Sequence, residues 1–557
     1  MWLLTLFSSF LQLVQHRFAS HCVETLFLTA APLVTKEILG ELPDEVDFDD
    51  DEEKTKESKI NFEDLFLSAL HELEGNMGYL MTESFASHTL RVLLVVLSGR
   101  PLTGTKTTSI LQSKAKKKFE PESKPTSTND TPLQRAIPES FNAAVDEMFA
   151  GITSGLDTHY LRAMATNPLA NPVLQLFLEI EFSKAGKQKA KDNQSLYRKL
   201  LPDDPLEEGT ESVRFIKGLL YDPIGSRLLE TIIQHAPGKA FKSLHRALFK
   251  ENLASIAKND VAGYVVIKVV ERMSKEDLKE AVEKISPEIP VLVEKSRTSV
   301  IKALIERCRV RGIDTKTIAE GVEAAYGSSK AELLVKMLRP TPGNEDLDPE
   351  HKAQVDAQDS SKLHTSLLAQ AMLAASDKSR ELITDSFLTC DLDTVLSIAK
   401  DRTASYVLQE ALKCSGQSKA FRRKMLQLLT GSVIRLALHA IGSHVVDAMW
   451  TASDDLQFIR EKIAAELSAD EARLRNSFSG RVVWRNWMMD LYNRRRTEWI
   501  ANCKSDVDAT AAPVERGPQF KAKSGIELAR ERFAAKKSGR GGQVIGRQNG
   551  RGGLAVK

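Results

Sequence analysis

The chain has 557 residues, more than one compact hydrophobic core accommodates, and only 6% of them are aromatic although 42% are hydrophobic, which argues against an aromatic-rich sandwich or barrel. Five scattered cysteines without a CxxC pair, together with histidines that lack metal-ligand spacing, argue against a disulfide framework and against a structural metal site. The formal net charge of +2 is near zero, so only its distribution along the chain is informative.

The first eighteen residues, MWLLTLFSSFLQLVQHRF, are apolar but lack the basic start and the small-residue cleavage site of a secretory signal. They run directly into a repeated pattern at Ala19, so we interpret them as a helix that packs behind it. No other stretch reaches the ~20 apolar residues of a membrane span, and we expect no membrane partner. Because the chain starts within a repeat, we expect that a capping unit is missing upstream or that the gene model is short.

One short pattern occurs nine times: a small residue, two variable positions, two aliphatic residues and then a polar or otherwise exposed position. The copies begin at Ala19, Ala86, Ala170, Gly225, Ala262, Arg297, Ala404, Gly442 and Ser479. The second aliphatic position is never polar: Val23, Leu90, Leu174, Leu229, Val266, Ile301, Leu408, Val446 and Val483. One buried position among exposed variable ones is what a helical repeat lining a surface requires.

The spacing of the copies is regular over much of the chain. Starts 225, 262 and 297 are 37 and 35 residues apart, and starts 404, 442 and 479 are 38 and 37 apart. This period suits units of two or three helices that bury each other's apolar faces. The 107 residues between the sixth and seventh copies predict two further degenerate units, and N-terminal gaps of 67, 84 and 55 indicate insertions.

Between the copies, apolar residues recur at helical spacing, as in 62–73, so the fold class is all-α. We predict a solenoid over 1–500 and a basic flexible tail over 501–557 that contains Arg-Gly-Gly. Four polar segments are predicted to be disordered insertions: 42–59, 101–137, 183–210 and 340–362.

Charge is segregated along the chain. Residues 41–57 carry a net charge of −8, whereas residues 515–557 carry +8. The C-terminal end is therefore cationic, and its Arg-Gly-Gly segments can present guanidinium groups to phosphates and bases without sequence preference.

The repeat resembles the Pumilio (PUF) repeat. In that family the RNA-facing helix carries a five-residue code whose first and fifth side chains meet a base edge while the second stacks. Five copies match this code: Ser20/His21/Glu24, Asn171/Pro172/Gln175, Ser226/Arg227/Glu230, Ser405/Tyr406/Gln409 and Ser443/His444/Asp447. Ser with Glu suits guanine, Asn with Gln suits uracil and Ser with Gln suits adenine. We expect the side chains at Ser226, Arg227 and Glu230 to be exposed.

Other copies depart from the code. Ser87 with Arg91, Gly263 with Ile267, Thr298 with Lys302 and Gly480 with Trp484 cannot give the usual paired contacts. Stacking or cationic side chains remain in them at His88, Tyr264 and Arg481. We expect contacts with RNA that do not read bases at these three residues and at Ser87, Arg91 and Lys302. Arg485 belongs to a cationic cluster at the end of the array that we expect to face phosphates. This mixture suits a structured RNA better than continuous base-by-base reading.

Several strings resemble the nucleolar protein nine family, of fungal type and shortened at the N-terminus. They are DPIGSRLLE, NDVAGYVVIKVVERM, DRTASYVLQEAL and GRVVWRNWMMDLYNRRRTEW. The resemblance implies a curved, U- or C-shaped α-solenoid of about nine to eleven Pumilio-like repeats in the nucleus and nucleolus. It also implies binding to precursor rRNA near the 3′ end of the small-subunit rRNA, a role in its processing and in small-subunit assembly and export, and preribosomal proteins as partners.

Two other functions stay open: a Pumilio-type mRNA regulator and a protein-binding helical-repeat scaffold. Small and aliphatic residues at fixed spacing would serve either one, but a scaffold has no need for Ser or Asn aligned with Glu, Gln or Asp. No GxxxxGKS/T, G-x-S-x-G or HExxH motif occurs, so we expect no enzyme, no cofactor, no metal and no small-molecule substrate.

Overall fold

The computed structural model describes residues 10–41, 62–102, 134–327, 329–340, 349–414 and 418–502. Within these ranges the secondary structure is helical, and thirty α-helices fall into ten repeats of three. The chain divides into two compact units, 1–490 and 491–557. The predicted all-α class is thus confirmed.

The middle helix of each repeat carries the repeated sequence pattern, and we term these ten the ladder helices. They are α2 (Ala19–Leu39), α5 (Ala86–Leu97), α8 (Ala170–Lys189), α11 (Gly225–His235), α14 (Ala262–Arg272), α17 (Thr298–Arg311), α20 (Pro349–Ala374), α23 (Ala404–Lys413), α26 (Gly442–Ala452) and α29 (Phe478–Asn486). Each ladder helix packs against the next one, from α2 through to α29. The pattern therefore marks one continuous row of stacked helices.

The other two helices of each repeat precede and follow its ladder helix along the chain. The first helices are α1 (Phe10–Gln15), α4 (Met77–Thr82), α7 (Thr158–Met164), α10 (Glu211–Tyr221), α13 (Leu253–Ala257), α16 (Ile289–Glu294), α19 (Lys330–Leu338), α22 (Leu392–Lys400), α25 (Val433–Ala437) and α28 (Glu471–Asn476). The third helices are α3 (Phe62–Leu73), α6 (Glu139–Gly155), α9 (Leu196–Leu200), α12 (Gly238–Leu244), α15 (Lys275–Ile285), α18 (Lys316–Tyr326), α21 (Lys378–Thr389), α24 (Lys419–Leu429), α27 (Gln457–Ala469) and α30 (Met489–Arg494). Helix α1 packs against α2, as predicted for the N-terminal segment, although residues 1–9 lie outside the described ranges.

The core lies where the ladder helices meet their neighbours. All nine residues at the second aliphatic position are buried, and seven of them, Leu229 and Leu408 included, have no exposed surface. Burying such a side chain contributes about 1.5–3 kcal/mol. The prediction that this position is the packing anchor of the repeat is confirmed.

Most ladder helices begin with the same capping contact, which the sequence analysis missed. A side chain four residues before the first code position accepts the backbone N–H groups two and three residues further on. The acceptors are His16, Glu83, Asn167, Asp222, Asn259, Asp401 and His439. Such N-caps contribute about 1 kcal/mol each and fix where each ladder helix starts.

The long gap between the sixth and seventh copies holds one repeat, so the prediction of two further units is wrong. In the described part of this stretch, α20 is the one ladder helix between α17 and α23. Helix α20 is 26 residues long and begins at Pro349, well before it reaches the row, and this extension accounts for the extra length.

Two of the four predicted insertions are largely ordered. In 183–210, helix α8 continues to Lys189 and α9 follows, because the Glu181 carboxylate accepts the backbone N–H groups of Leu196 (2.8 Å) and Tyr197 (3.1 Å). In 340–362, residues from Pro349 onward belong to α20. The prediction of disorder is wrong for these parts. Segment 42–59 and residues 341–348 lie outside the described ranges.

The insertion at 101–137 is described only at its ends, and Arg135 anchors its C-terminal end to two repeats. The Arg135 guanidinium donates to the carbonyl oxygens of Arg100 (3.0 Å), Val96 (2.9 Å) and Ala31 (3.2 Å). It thereby satisfies carbonyl groups at the end of α5 and within α2. Residues 103–133 lie outside the described ranges.

The second compact unit is described over 491–502. In it the rings of Tyr492 and Trp499 meet edge to face with centroids 5.0 Å apart, and the Arg496 guanidinium lies 5.6 Å from the Tyr492 ring. The predicted tail, 501–557, lies outside the described residues except for 501 and 502, which are helical. None of the described helices combines the length and the apolar character needed to cross a membrane.

An ion cluster at Glu179 ties together three successive repeats. Glu179 of α8 pairs with Arg100, which follows α5, and with His235 at the end of α11, whose Nε2 is 3.5 Å from the carboxylate. Burial alone would raise the pKa of Glu179, but the hydrogen bonds with His235 and Arg100 lower it to about 2. The ionised carboxylate therefore stabilises the folded state.

Replacing Glu179 by Gln should reduce the free energy of unfolding by about 2 kcal/mol at pH 7. Because the folded pKa is below the unfolded value, this contribution is present above pH 4.5 and is lost as the pH falls towards 2. Urea denaturation of both proteins at several pH values measures the difference.

A Glu181→Gln variant is the matched control, since burial raises the pKa of Glu181 to about 6. A carboxyl with a raised folded pKa makes the wild type less stable as the pH rises from 4.5 to 6. The stability of Glu181→Gln relative to the wild type should therefore increase as the pH rises, whereas that of Glu179→Gln should decrease. A Glu179→Gln protein with a pH-independent deficit would contradict the proposed role of the cluster.

Candidate nucleic-acid interface

The side chains at the second code position form the exposed part of the ladder row. Six of them are exposed: His21, Arg227, Tyr264, Tyr406, His444 and Arg481. Tyr264 and Tyr406, at 51% and 58% exposure, keep ring faces open although both rings are large and apolar. Exposed aromatic and guanidinium planes at the same register of stacked helices form a surface on which flat, unpaired bases can stack.

The first code position is buried, contrary to the prediction. The hydroxyl or amide residues at this position lie in the seams between helices and are at most 5% exposed: Ser20, Ser87, Asn171, Ser226, Thr298, Ser405 and Ser443. The expected exposure is therefore wrong for Ser226, confirmed for Arg227 and only partly met by Glu230, which is half-buried. Ladder helices pack closely, and small side chains occupy the seam because larger ones would separate them.

Four of these hydroxyls are buried without a hydrogen-bond partner among the described residues: Ser20, Ser87, Thr298 and Ser405. Because the first-position side chains lie in the seam, they are not exposed for the predicted pair of contacts in which the first and fifth residues meet one base edge. The surface is built instead from the second and fifth positions.

The carboxylate of Glu24 in the first repeat is paired with side chains of its own and the next repeat. It lies 2.8 Å from Nδ1 of His88 and 3.2 Å from Nδ1 of His21, and it accepts the Thr89 hydroxyl at 3.2 Å. Burial would raise the pKa of Glu24, but the hydrogen bond with His88 leads the contacts that lower it. Only 7% of the residue is exposed. In this structure both residues join repeats one and two, and the guanine reading by Glu24 and the RNA contact by His88 stay predictions.

Asn171 and Gln175 of the third repeat are occupied as well. The Gln175 amide donates to the Asn171 side chain (2.5 Å) and accepts the Thr231 hydroxyl (3.1 Å), while Asn171 donates to the carbonyl of Ile224 (3.1 Å). Both side chains thus connect repeats three and four. The predicted uracil reading is not supported, because neither amide is left to pair with a base.

Three fifth-position groups remain available. Glu230 and Gln409 are half-buried and have no hydrogen-bond partner among the described residues. Asn486 donates to one carboxylate oxygen of Asp447 (3.1 Å), and the other oxygen has no partner there. Burial raises the pKa of Glu230 and of Asp447. Carboxylates that are only partly satisfied are suited to accept N–H groups of a base.

The fifth-position cations make local contacts. Arg91 is half-buried and its Nε donates to the carbonyl of Ser87 (3.4 Å), and burial lowers its pKa. Lys302 pairs with Glu306 of its own helix at 3.1 Å. At the end of the row, Arg481 and Arg485 are exposed on α29. These two arginines remain candidates for phosphate contacts.

A tenth code triplet was missed by the sequence analysis. Helix α20 presents Ser366, Leu367 and Gln370 with the burial pattern of the other ladder helices. Gln370 donates to the Ser366 hydroxyl (3.2 Å), which donates to the carbonyl of Thr403 (2.8 Å). The signal in the sequence was the spacing, since Ser366 precedes Ser405 by 39 residues. No group of three or more potential metal ligands occurs in the described part of the chain.

Comparison with known proteins gives consistent matches. The family model described as a NOP9-like PUF repeat domain matches residues 3–482. Nucleolar protein 9 of Paracoccidioides brasiliensis strain Pb03 is 48% identical over 535 residues, covering 95% of this chain and 77% of that protein. Nucleolar protein 9 of Neosartorya fischeri is 47% identical over 532 residues, covering 95% and 75%.

The structure is also similar to solved ones. The structure described as "Structure of APUM23-GGAUUUGACGG" aligns with a TM-score of 0.70 at 17% identity, covering 90% of this chain and 87% of that one. A second one, "Structure of APUM23-GGAAUUGACGG", aligns with a TM-score of 0.69 at 18% identity, covering 90% and 86%. At this identity the likeness shows the fold, and the predicted Pumilio-like α-solenoid is confirmed.

Proposed function

The chain belongs to the family of NOP9-like PUF repeat proteins, and on that premise we propose that it binds single-stranded or partly unfolded precursor rRNA of the small ribosomal subunit. The predicted identity as a nucleolar, RNA-binding protein of ribosome biogenesis is confirmed at the level of the family. We further propose that the RNA it binds is the 3′ region of the small-subunit rRNA. By binding there, the protein supports pre-18S processing and the assembly and export of the small subunit. The protein acts in this role by binding, not by catalysis.

One observation carries the proposal: six second-position side chains that can stack or carry charge are exposed along one continuous row of ladder helices. Unpaired bases stack on such groups with about 1–3 kcal/mol per base. Glu230, Gln409 and Asp447 add base selectivity in repeats four, eight and nine, whereas the code positions of the other repeats hold the RNA without selecting bases. This mixture suits a target that is recognised at a few unpaired positions.

Crosslinking in cells followed by sequencing of the bound RNA tests this function. The expected result is enrichment of small-subunit precursor rRNA around the 3′ end of its mature sequence, with the protein co-sedimenting with preribosomal particles. Enrichment of messenger RNA would instead support the Pumilio-type regulator. A protein scaffold would give neither enrichment nor an RNA affinity that falls with salt concentration.

A further inference from the structure

Repeats five to seven enclose an open cleft of about 220 Å³ beside the exposed row. Its walls come from three successive repeats: Asp260 and Tyr264 from repeat five, Ser296 and Arg297 from repeat six, and Ser361 and His364 from α20 of repeat seven. Such a volume corresponds to on the order of seven water molecules, which suits one small planar group.

The cleft exists because repeat six departs from the common start of a ladder helix. It has no side chain that caps α17 in the usual way. Instead, Ser296 adopts a left-handed backbone conformation with φ of 58°, and the Arg297 amide donates to the carbonyl of Leu292 (2.7 Å). A left-handed non-glycine residue is uncommon and costs conformational energy. This turn places the Arg297 side chain against Asp260 of the previous repeat.

The far wall of the cleft comes from the N-terminal extension of α20. Helix α20 begins at Pro349, and its Ser361 and His364 precede the ladder position Ser366. The Ser361 hydroxyl lies 3.5 Å from that of Ser296. The N-terminal part of α20 therefore supplies one wall of this cleft.

The lining brings one arginine, one carboxylate and one aromatic ring into the same cleft. Arg297 donates an Nη2 hydrogen to Asp260 and its Nε is buried, so the hydrogens that can reach a ligand are the remaining ones on its two outer guanidinium nitrogens. The Asp260 side chain is 79% exposed, so its carboxylate can accept further hydrogens. Tyr264 adds a half-exposed ring that can stack on a base.

This donor–acceptor order is complementary to guanine. Its O6 accepts a hydrogen next to the N1–H and N2–H groups, which donate, and arginine and carboxylate groups are ordinary partners for such atoms. A phosphate would fit less well, because Asp260 already balances the charge of Arg297. We propose that this cleft binds one unpaired guanine of the RNA, which stacks on Tyr264 and turns from the exposed row towards Arg297 and Asp260. The inference rests on the proposed RNA-binding function.

The fifth code positions of repeats five and six are consistent with base selection by the cleft. The fifth position is Ile267 in repeat five, which cannot pair with a base edge, and Lys302 in repeat six, which pairs with Glu306. A nucleotide at this point gains no selectivity from the row. Its base can be selected only by the groups of the cleft.

Guanine-specific footprinting tests the proposal. The full chain is mixed with a transcript of the 3′ region of the small-subunit precursor rRNA and treated with a glyoxal reagent that adds across N1 and N2 of unpaired guanines. One guanine should be protected about tenfold by the wild type. It should react again with the Tyr264→Ala, Arg297→Lys and Asp260→Asn variants. Changing that guanine to adenine should weaken binding by the wild type about tenfold.

Two variants serve as controls. Tyr264→Phe keeps the stacking ring and should keep the guanine protected, and Tyr221→Ala removes an equally exposed ring that lies outside both the cleft and the exposed row and should also leave that guanine protected. All variants should retain the helical circular dichroism and the melting temperature of the wild type. If the wild type footprints other nucleotides but Arg297→Lys and Asp260→Asn protect every guanine as the wild type does, the cleft proposal is wrong. If the wild type gives no footprint at all, the proposed function fails together with it.

Discussion

Replacing Arg227, Tyr406 and His444 together by alanine is expected to weaken binding to small-subunit precursor rRNA at least a hundredfold. Each side chain stands at an exposed second position, in repeats four, eight and nine. Loss of a base-stacking contact costs about 1–3 kcal/mol, and three separated sites should add nearly independently. Fluorescence anisotropy with a labelled transcript at several salt concentrations measures the loss, and the missing Arg227 should also reduce the salt dependence.

The matched control removes aromatic rings of similar exposure from outside the exposed row. Tyr79, Tyr221 and Phe458 are 57%, 52% and 83% exposed on first and third helices. Their combined replacement by alanine should leave RNA affinity within about twofold of the wild type, since surface substitutions away from a site have small effects. Equal losses in the two triple variants would show that the RNA does not follow the row of ladder helices.

The architecture could be predicted because packing constrains it strongly. A second aliphatic position that is never polar, recurring at 35 to 38 residues, fixed the helix, its buried face and the repeat. The same reasoning failed at repeat seven. There Ala369 takes the place of the second large aliphatic residue, and a polar stretch precedes it. The polar residues from Pro349 to Ser361 are nevertheless helical in α20, so polarity alone does not predict disorder here.

The candidate site was predictable only in part, because the availability of a polar group depends on its neighbours in other repeats. Glu24 and Glu230 occupy the same code position, yet His88 and Thr89 of the next repeat bind the first and leave the second free. Seam burial at Ser226 likewise depends on how closely neighbouring ladder helices approach. The cleft at Arg297 depends on a left-handed turn at Ser296 that the residue type does not indicate.

Replacing Leu229 by alanine should lower the free energy of unfolding by about 2–5 kcal/mol. Leu229 has no exposed surface and lies in α11 two residues after Arg227, so one helix carries a packing residue and an exposed residue on nearly opposite faces. Urea denaturation measures the loss. In a solenoid the damage is concentrated near repeat four, which hydrogen exchange of α10–α12 should resolve.

The pair Leu229→Ala and Arg227→Ala separates folding from recognition within that helix. Arg227→Ala should change stability by less than about 0.5 kcal/mol and weaken RNA binding. Leu229→Ala should do the reverse at temperatures where the protein stays folded, because Leu229 faces away from the exposed row. A Leu229→Ala protein as stable as the wild type would contradict the assignment of the second aliphatic position as the packing anchor. A strongly destabilised Arg227→Ala protein would show that the second position holds the repeats together, and the exposed row would then lose its meaning as a binding surface.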